Sequence, residues 1–400
     1  AIISQKNLNF IPGSRYLYSN SGYFLLSELV LRITGQTLRQ FAQENIFSPL
    51  GMKNTHFHDN RHEPVPNRAI GYRFVPGKGF LINIPGLETV GSGGIYSTVE
   101  DLALWDRNFY HNALGKGRQE LMQRILETTT FNNGEPFTYA FGLTVEKYRG
   151  IDRIEHSGNN GGYSAEFARY PEHHLTIICL ANGNNISAPN VAAQAADILL
   201  KDHFIDAQET AEEKVTPVEL QPGDLAGKDG FYFSEEGEVS FQVKIAGQTL
   251  LMCIGGHELP LTPSSPNRFH LLNMPIRGIL DFSWENGKTI INLDFERGKA
   301  PEKLVKMPLV ASSPVEKQAL VGDYFSDELS VIARITMDGE NLCLKLGRHK
   351  GTLVTCENQT FVLESEDLGN CILAAQSVNG HVQQFSLNAG RVQNIIFVRR

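Results

Sequence analysis

Tyr16-Leu17-Tyr18-Ser19-Asn20-Ser21-Gly22-Tyr23 sets a phenol and a carboxamide, Tyr18 and Asn20, two residues apart at the mouth of an amphipathic run. Tyr23, Leu26, Val30 and Ile33 recur at three- and four-residue spacing, which predicts a helix over 20–34 with those four on its inward face. Thr34-Gly35 is the stop signal. A Tyr-x-Asn pair has little specificity alone. Its weight comes from a second stretch far downstream, His156-Ser157-Gly158-Asn159, near the end of a strand-like run and followed by Asn160-Gly161-Gly162.

Between these two stretches the chain reads as helices, then strands. Thr37-Leu38-Arg39-Gln40 is a capping-box pattern opening a second helix, with Leu38, Phe41 and Ala42 inward, broken at Ser48-Pro49-Leu50-Gly51-Met52. Residues 54–90 are rich in proline and glycine and read as loop. Gly91-Ser92-Gly93-Gly94 lacks the spacing and lysine of a phosphate-binding loop, so it reads as a tight turn into a helix, capped by Ser97 with Glu100 and running through Trp105 and Phe109. From Ala140 the period becomes two. Phe141–Tyr148, Ile151–His156, Tyr163–Tyr170 and Leu175–Ala181 read as four strands joined by short turns. A closing helix over 189–203 is expected to turn Val191, Ala195, Ile198 and Leu199 inward. Helices, an antiparallel meander and a closing helix make the fold class α+β.

The second half repeats itself at an offset of 92 residues. Gly230, Tyr232, Phe233 and Ser234 match Gly322, Tyr324, Phe325 and Ser326; Leu250 matches Leu342, and Leu261 matches Leu353. One offset held over that distance indicates duplication. Each copy carries short alternating strands and tight turns, the pattern of a small antiparallel barrel or sandwich, and neither carries a cluster of acids, bases or metal ligands. The expected domains are 1–204, a linker at 205–219, and repeats at 220–310 and 314–400. A ligand-carrier role for the repeats ranks last, because small barrels are usually filled by their own side chains.

A net charge of −8 argues against nucleic acid as a partner, and no apolar run approaches the roughly 20 residues that span a bilayer. Five scattered cysteines with no CxxC spacing fit buried small apolar residues better than a disulfide or metal framework. His56, His58 and His62 lie close in sequence, but in a polar loop without helical or strand spacing to converge them, so no metal site is assigned.

Taken together, Pro12-Gly13, Tyr18-Ser19-Asn20-Ser21-Gly22-Tyr23, Pro49-Leu50-Gly51-Met52 and His156-Ser157-Gly158…Gly162-Tyr163-Ser164 resemble the penicillin-recognising serine hydrolases: class C β-lactamases, D,D-peptidases, D-aminopeptidases and related esterases. The resemblance covers about residues 1–203, and the two repeats look like the paired β-barrels that follow the catalytic domain in D-aminopeptidases. It implies a partial β-lactamase/transpeptidase-like domain, an antiparallel sheet flanked by helices, followed by two small antiparallel β-barrels. It implies an acyl-serine route to hydrolysis of a small peptide, ester or β-lactam substrate, with no metal or cofactor, in a periplasmic or secreted setting. Tyr18 matches the family's general base, and Asn20 the residue that orients substrate amide and motif lysine. His156 stands where the third motif has lysine; Ser157, Gly158 and Asn159 continue the substrate-binding row, with the Asn159 N–H as one oxyanion donor. Asn273-Met274-Pro275-Ile276-Arg277-Gly278 is a candidate barrel loop for reaching the cleft.

The departure from the family is the nucleophile. No Ser-x-x-Lys occurs in these 400 residues, and only 17 residues precede Tyr18. A phenol, with an ordinary pKa of about 10, needs a neighbouring cation to act as a base near neutrality. The expectation is therefore an N-terminally truncated hydrolase, inactive as the chain stands, with an exposed sheet edge and a missing N-terminal segment or oligomeric partner. The alternative is a non-catalytic peptide- or cell-wall-binding homologue.

Overall fold

The computed structural model describes residues 4–75, 77–86, 88–205, 215–234, 239–254, 257–272, 278–294, 301–365, 368–379 and 381–400. Two compact units emerge: Pro12–Glu209 forms one, and Ala1–Ile11 with Thr210–Arg400 forms the other. The fold is α+β, a unit of helices and antiparallel sheet, and two closed antiparallel barrels.

In the first unit the local signals at the helix ends act as read. Helix α1 spans Asn20–Thr34, begins at a Ser19 cap whose Oγ accepts from the Gly22 N–H, and stops at Gly35 in the left-handed region. Helix α2, Leu38–Ala42, opens on the reciprocal Thr37/Gln40 capping box. Its course runs on through a π-helical turn at Gln43–Phe47 and a last turn at Ser48–Leu50, and ends within the expected break at Gly51, also left-handed. Helix α3, Val99–His111, is capped one residue later than expected: Thr98 accepts from the Asp101 N–H. Ser97 is diverted to Thr55, their hydroxyls 2.8 Å apart, while the Asp101 carboxylate accepts from Asn54 N–H and the Thr55 hydroxyl.

The expected inward faces need correction. On α1, Leu26 is 51% exposed and Ile33 80%. The loop at Gly91 closes instead on the flank of Tyr23 and Ser27; a Cβ at Gly91 would come within 2.5 Å of the Tyr23 carbonyl oxygen. Helix α4, Ala188–Leu199, likewise exposes Val191, Ile198 (73%) and Leu199, and buries Ala188, Ala192 and Ala196. Small residues face inward because Tyr148 and Tyr170 already fill the layer beneath, with Ala196 and Leu200 against them. Apolar spacing identifies a stripe, but the side already filled decides which stripe is buried.

The sheet runs in the order β3-β4-β5-β6: β3 Thr144–Tyr148, β4 Ile151–Asn160, β5 Tyr163–Tyr170 and β6 Leu175–Ala181. A short pair, β1 His56–Phe57 and β2 Ile95–Tyr96, stands apart. Alternation along β5 sends Ala168 and Tyr170 to the α4 side. Arg169 goes to the other, where it is buried, ion-paired with Asp106 of α3 and 4.0 Å from the Phe109 ring. One strand thus fixes both helical layers.

In the second unit the repeat is structural. Strands from Gly230–Ser234 to Glu302–Lys306 close one eight-stranded barrel, and strands from Gly322–Ser326 to Val392–Arg399 close the other. The cross-strand pairs Leu250 with Leu261 and Leu261 with Leu271 recur in the second copy as Leu342 with Leu353 and Leu353 with Leu363. Tyr232 and Tyr324, both fully buried, each donate their hydroxyl over 2.7 Å to the carbonyl four residues earlier, Lys228 and Leu320. Each interior is packed with its own aromatic and aliphatic side chains, so the carrier reading finds no support here. Phe231 and Phe233 point outward from the first barrel and bury against Cys356 and Val362 of the second. Segment 4–11 lies on the second barrel, where the Asn9 amide donates to the Arg391 carbonyl and the Asn394 amide to that of Asn9. The candidate loop 273–278 lies, apart from Gly278, outside the described residues.

Removing either phenol hydroxyl strands a buried carbonyl, a loss of about 1–3 kcal/mol. Tyr232→Phe and Tyr324→Phe should each lower the stability of the full chain by that amount in urea denaturation followed by far-ultraviolet circular dichroism; an unchanged midpoint in both would remove the hydroxyls from the stability of the barrels.

Candidate active site

The site forms where β4 outruns its neighbour. The pairing of β3 with β4 stops at Thr144 opposite Glu155, so residues 156–160 of β4 pair only with β5. His156, Ser157, Gly158 and Asn159 therefore lie within a strand rather than at its end, and along an open edge. Gly158 and Asn159 are exposed, and His156 and Ser157 half-buried.

The chain ahead of β3 folds back beside that edge. Ala140 N–H donates to the Leu143 carbonyl and Val145 N–H to that of Thr138, which brings Tyr139 alongside Thr144. The N-terminal stretch is tied to the same region: the Asn132 backbone donates to the Gly13 carbonyl at 2.8 Å and its side chain to that of Pro12 at 3.0 Å. The rings of Tyr16 and Tyr139 are 5.5 Å apart, and those of Tyr16 and Phe137 5.1 Å. Two segments distant in sequence are thereby joined through an aromatic row.

Tyr18 and His156 come together across this row with ring centroids 6.2 Å apart. Tyr18 is in the lead-in to α1 and half-buried; Asn20 is the first helical residue and exposed. The His156 Nδ1 lies 2.6 Å from the Ser157 carbonyl oxygen, and its Nε2 lies 3.1 Å from the Tyr139 hydroxyl. A cleft of about 390 Å³ opens beside them, lined by Tyr16, Leu17, Tyr18, Ser19, Gly22, Tyr23, Leu26 and Tyr139. Burial pushes the Tyr139 phenol well above its ordinary range, with the phenols of Tyr23, Tyr16 and Tyr18 adding to the shift. Burial also raises Tyr23, against an opposing hydrogen bond with Tyr139. Sequence reasoning assigned Tyr23 to packing and passed over Tyr139. The alternation of Phe137 and Tyr139, immediately before the first expected strand, is the signal that was there to find.

The turn after the site depends on a missing side chain. Gly162 N–H donates to the Asn83 carbonyl at 2.8 Å, and a Cβ at Gly162 would come within 2.3 Å of the Tyr72 nitrogen. Ser164 is no nucleophile: it is buried, and its hydroxyl accepts from the Ala188 N–H.

The histidines at 56 and 58 do converge, against expectation: His56 lies in β1, and His58 just after it is held by its N–H donating to the Gly94 carbonyl. His56 Nε2 is 3.2 Å from His58 Nδ1, both rings pack on Tyr96, and His58 is 6% exposed. His62 goes elsewhere, to Arg61. No group of three or more His, Cys, Asp or Glu among the described residues is placed to hold a metal. Burial pushes His56 below its ordinary value of 6.5, and nearby Arg39 and His58 push the same way against Glu63 and Asp59.

Residues 1–201 match the family model described as Beta-lactamase. The chain is 28% identical over 280 residues to penicillin-binding protein 4* of Bacillus subtilis (strain 168), covering 66% of this chain and 60% of that protein. It is 27% identical over 188 residues to a D-aminopeptidase of Gluconobacter oxydans (strain 621H), covering 47% of this chain and 35% of that protein. Among solved structures, the octameric penicillin-binding protein homologue from Pyrococcus abyssi aligns with a TM-score of 0.46 at 22% identity, over 74% of this chain and 66% of that one. The chain thus spans less than two thirds of the length of these relatives.

Gly162→Ala forces the turn at the site away from the 71–83 backbone, a strain of about 1–3 kcal/mol, measurable as a lowered urea midpoint. The His56 term has a definite sign. Its folded pKa is depressed, so its stabilisation is fully present above the unfolded value of 6.5 and is lost as pH falls through the folded one. Stability measured across that interval should decline less steeply in His56→Gln than in the parent; an equally steep decline removes His56 as a source.

Proposed function

This chain belongs to the Beta-lactamase family, and on that premise we propose that residues 1–201 supply the second and third motifs of a serine hydrolase acting on amide or ester bonds of small peptide-like substrates. The observation that carries the reading is the meeting of Tyr18 and His156, far apart in sequence, with ring centroids 6.2 Å apart beside the cleft that Tyr18 lines. Tyr18 is the proposed base, Asn20 orients the substrate, and His156 fills the place of the third-motif lysine. Ser157, Gly158 and Asn159 form the strand edge along which the substrate lies. The open edge of β4 fits that last role, because an extended substrate could add to it by backbone pairing. Relatives described as D-aminopeptidase and penicillin-binding protein favour peptide-like substrates over other esters and amides.

Catalysis by this route requires an acyl-accepting serine with an adjacent lysine, and these 400 residues contain no Ser-x-x-Lys. The chain by itself should therefore bind without acylation. The alternative, a non-catalytic peptide- or cell-wall-binding homologue, shares the cleft and differs only in the nucleophile.

A fluorophosphonate or a labelled penicillin separates the two. The purified 400-residue chain should take up no covalent label, and the protein as its native cell makes it should be labelled on the serine of a Ser-x-x-Lys. A label on this chain overturns the assigned dependence on that motif. An unlabelled cellular protein that still binds peptide decides for the binding reading.

A further inference from the structure

We propose that Tyr139 is the positioning residue of His156: its hydroxyl caps Nε2 and holds the imidazole as the Nδ1–H tautomer, so that the group turned to the cleft is the Tyr139 hydroxyl and not an imidazole N–H. The role concerns the site assigned above and rests on that reading for its functional meaning.

The geometry fixes the protons one at a time. The Ser157 carbonyl oxygen can only accept, so Nδ1, 2.6 Å from it, carries a hydrogen. In the neutral ring Nε2 is then an acceptor, and the Tyr139 hydroxyl 3.1 Å away donates to it. A phenol has one proton, and Tyr139 gives it to Nε2. The order of donation is Tyr139 to His156 to the Ser157 carbonyl. Burial raises the Tyr139 phenol, which keeps its proton in place near neutrality.

The surroundings support the same assignment. The cleft lining includes Tyr139, Tyr18 and Tyr23, and Tyr139 in turn contacts His156. The Tyr139 ring meets the imidazole edge-on at 6.0 Å and is itself flanked by Tyr16 and Phe137, which limit its rotation. Gly142 leaves room for the Tyr23 hydroxyl beside this row, since a Cβ there would sit 3.2 Å from it. A third-motif lysine would bring a permanent cation to this position. The arrangement here brings a neutral ring with both nitrogens engaged, and any effect on a ligand passes through Tyr139.

The test uses the full chain labelled with ¹⁵N-histidine, with the His156 signals assigned as those absent from His156→Asn. In the neutral imidazole, Nδ1 should appear as a protonated, pyrrole-type nitrogen. Nε2 should appear as a pyridine-type nitrogen moved upfield by the bond it accepts. Tyr139→Phe should remove that upfield shift while the amide spectrum stays native. A proton on Nε2 in the parent overturns the proposal, as does a Nε2 signal indifferent to Tyr139→Phe in a native fold. Should Tyr139→Phe not fold, the parent tautomer decides alone. The readout needs no turnover, so a failure here is distinct from a failure of the hydrolase reading.

Discussion

The site depends on one mismatch of length. β4 has 10 residues and its neighbour β3 has 5, so half of β4 is left with a partner on one side only. Backbone donors and acceptors along an open edge look for partners, which makes such an edge either a hazard or a binding surface. Here the hairpin before β3 and the lead-in to α1 crowd beside it. The aromatic rings they bring turn an open edge into a cleft. Were β3 to continue alongside, the sheet would be more regular and there would be no place for Tyr139 against His156.

What could be read from the sequence divides along physical lines. Helix ends were legible because their signals are local: Thr37 and Gln40 satisfy each other's backbone partners within four residues, and Gly35 takes the left-handed conformation next to the helix it ends. The meeting of Tyr18 with His156 was legible only through resemblance, since nothing local ties them. The buried faces of α1 and α4 were not legible, although Ala42 of α2 is buried as its spacing implied. Ile198 and Ala196 are two positions apart on one helix, and hydropathy favours the larger; the tyrosines beneath leave room only for the smaller. Tyr139 was missed for a related reason. It lies just ahead of the first expected strand, and its importance comes from what a turn places beside it.

The two barrels show how far a duplicated unit can diverge without losing its frame. The interior pairs and the buried tyrosine bond are kept in both copies, where a change would leave a void or a stranded carbonyl. The outward positions have changed character. Phe231 of the first copy, buried in the seam between barrels, corresponds to Asp323 of the second, which is ion-paired with Arg334 on the surface. An apolar face suits one copy, which has a neighbour against it, and a charged pair suits the other.

Both barrels are plain meanders, in which each strand pairs with the next and only the last returns to the first. That wiring keeps contact order low for an all-β structure, so most of each barrel can form from hairpins that are close in sequence. The exception is the closing pair, Phe233 with Val305 in one copy and Phe325 with Val398 in the other, which must bridge the whole repeat. Until it forms, each intermediate carries two unprotected strand edges, and the second copy can zip shut only when the C-terminal strand is available. On a ribosome the first barrel can be complete before the second has its last strand, which sets an order of assembly and keeps the second barrel's edges open until that strand emerges.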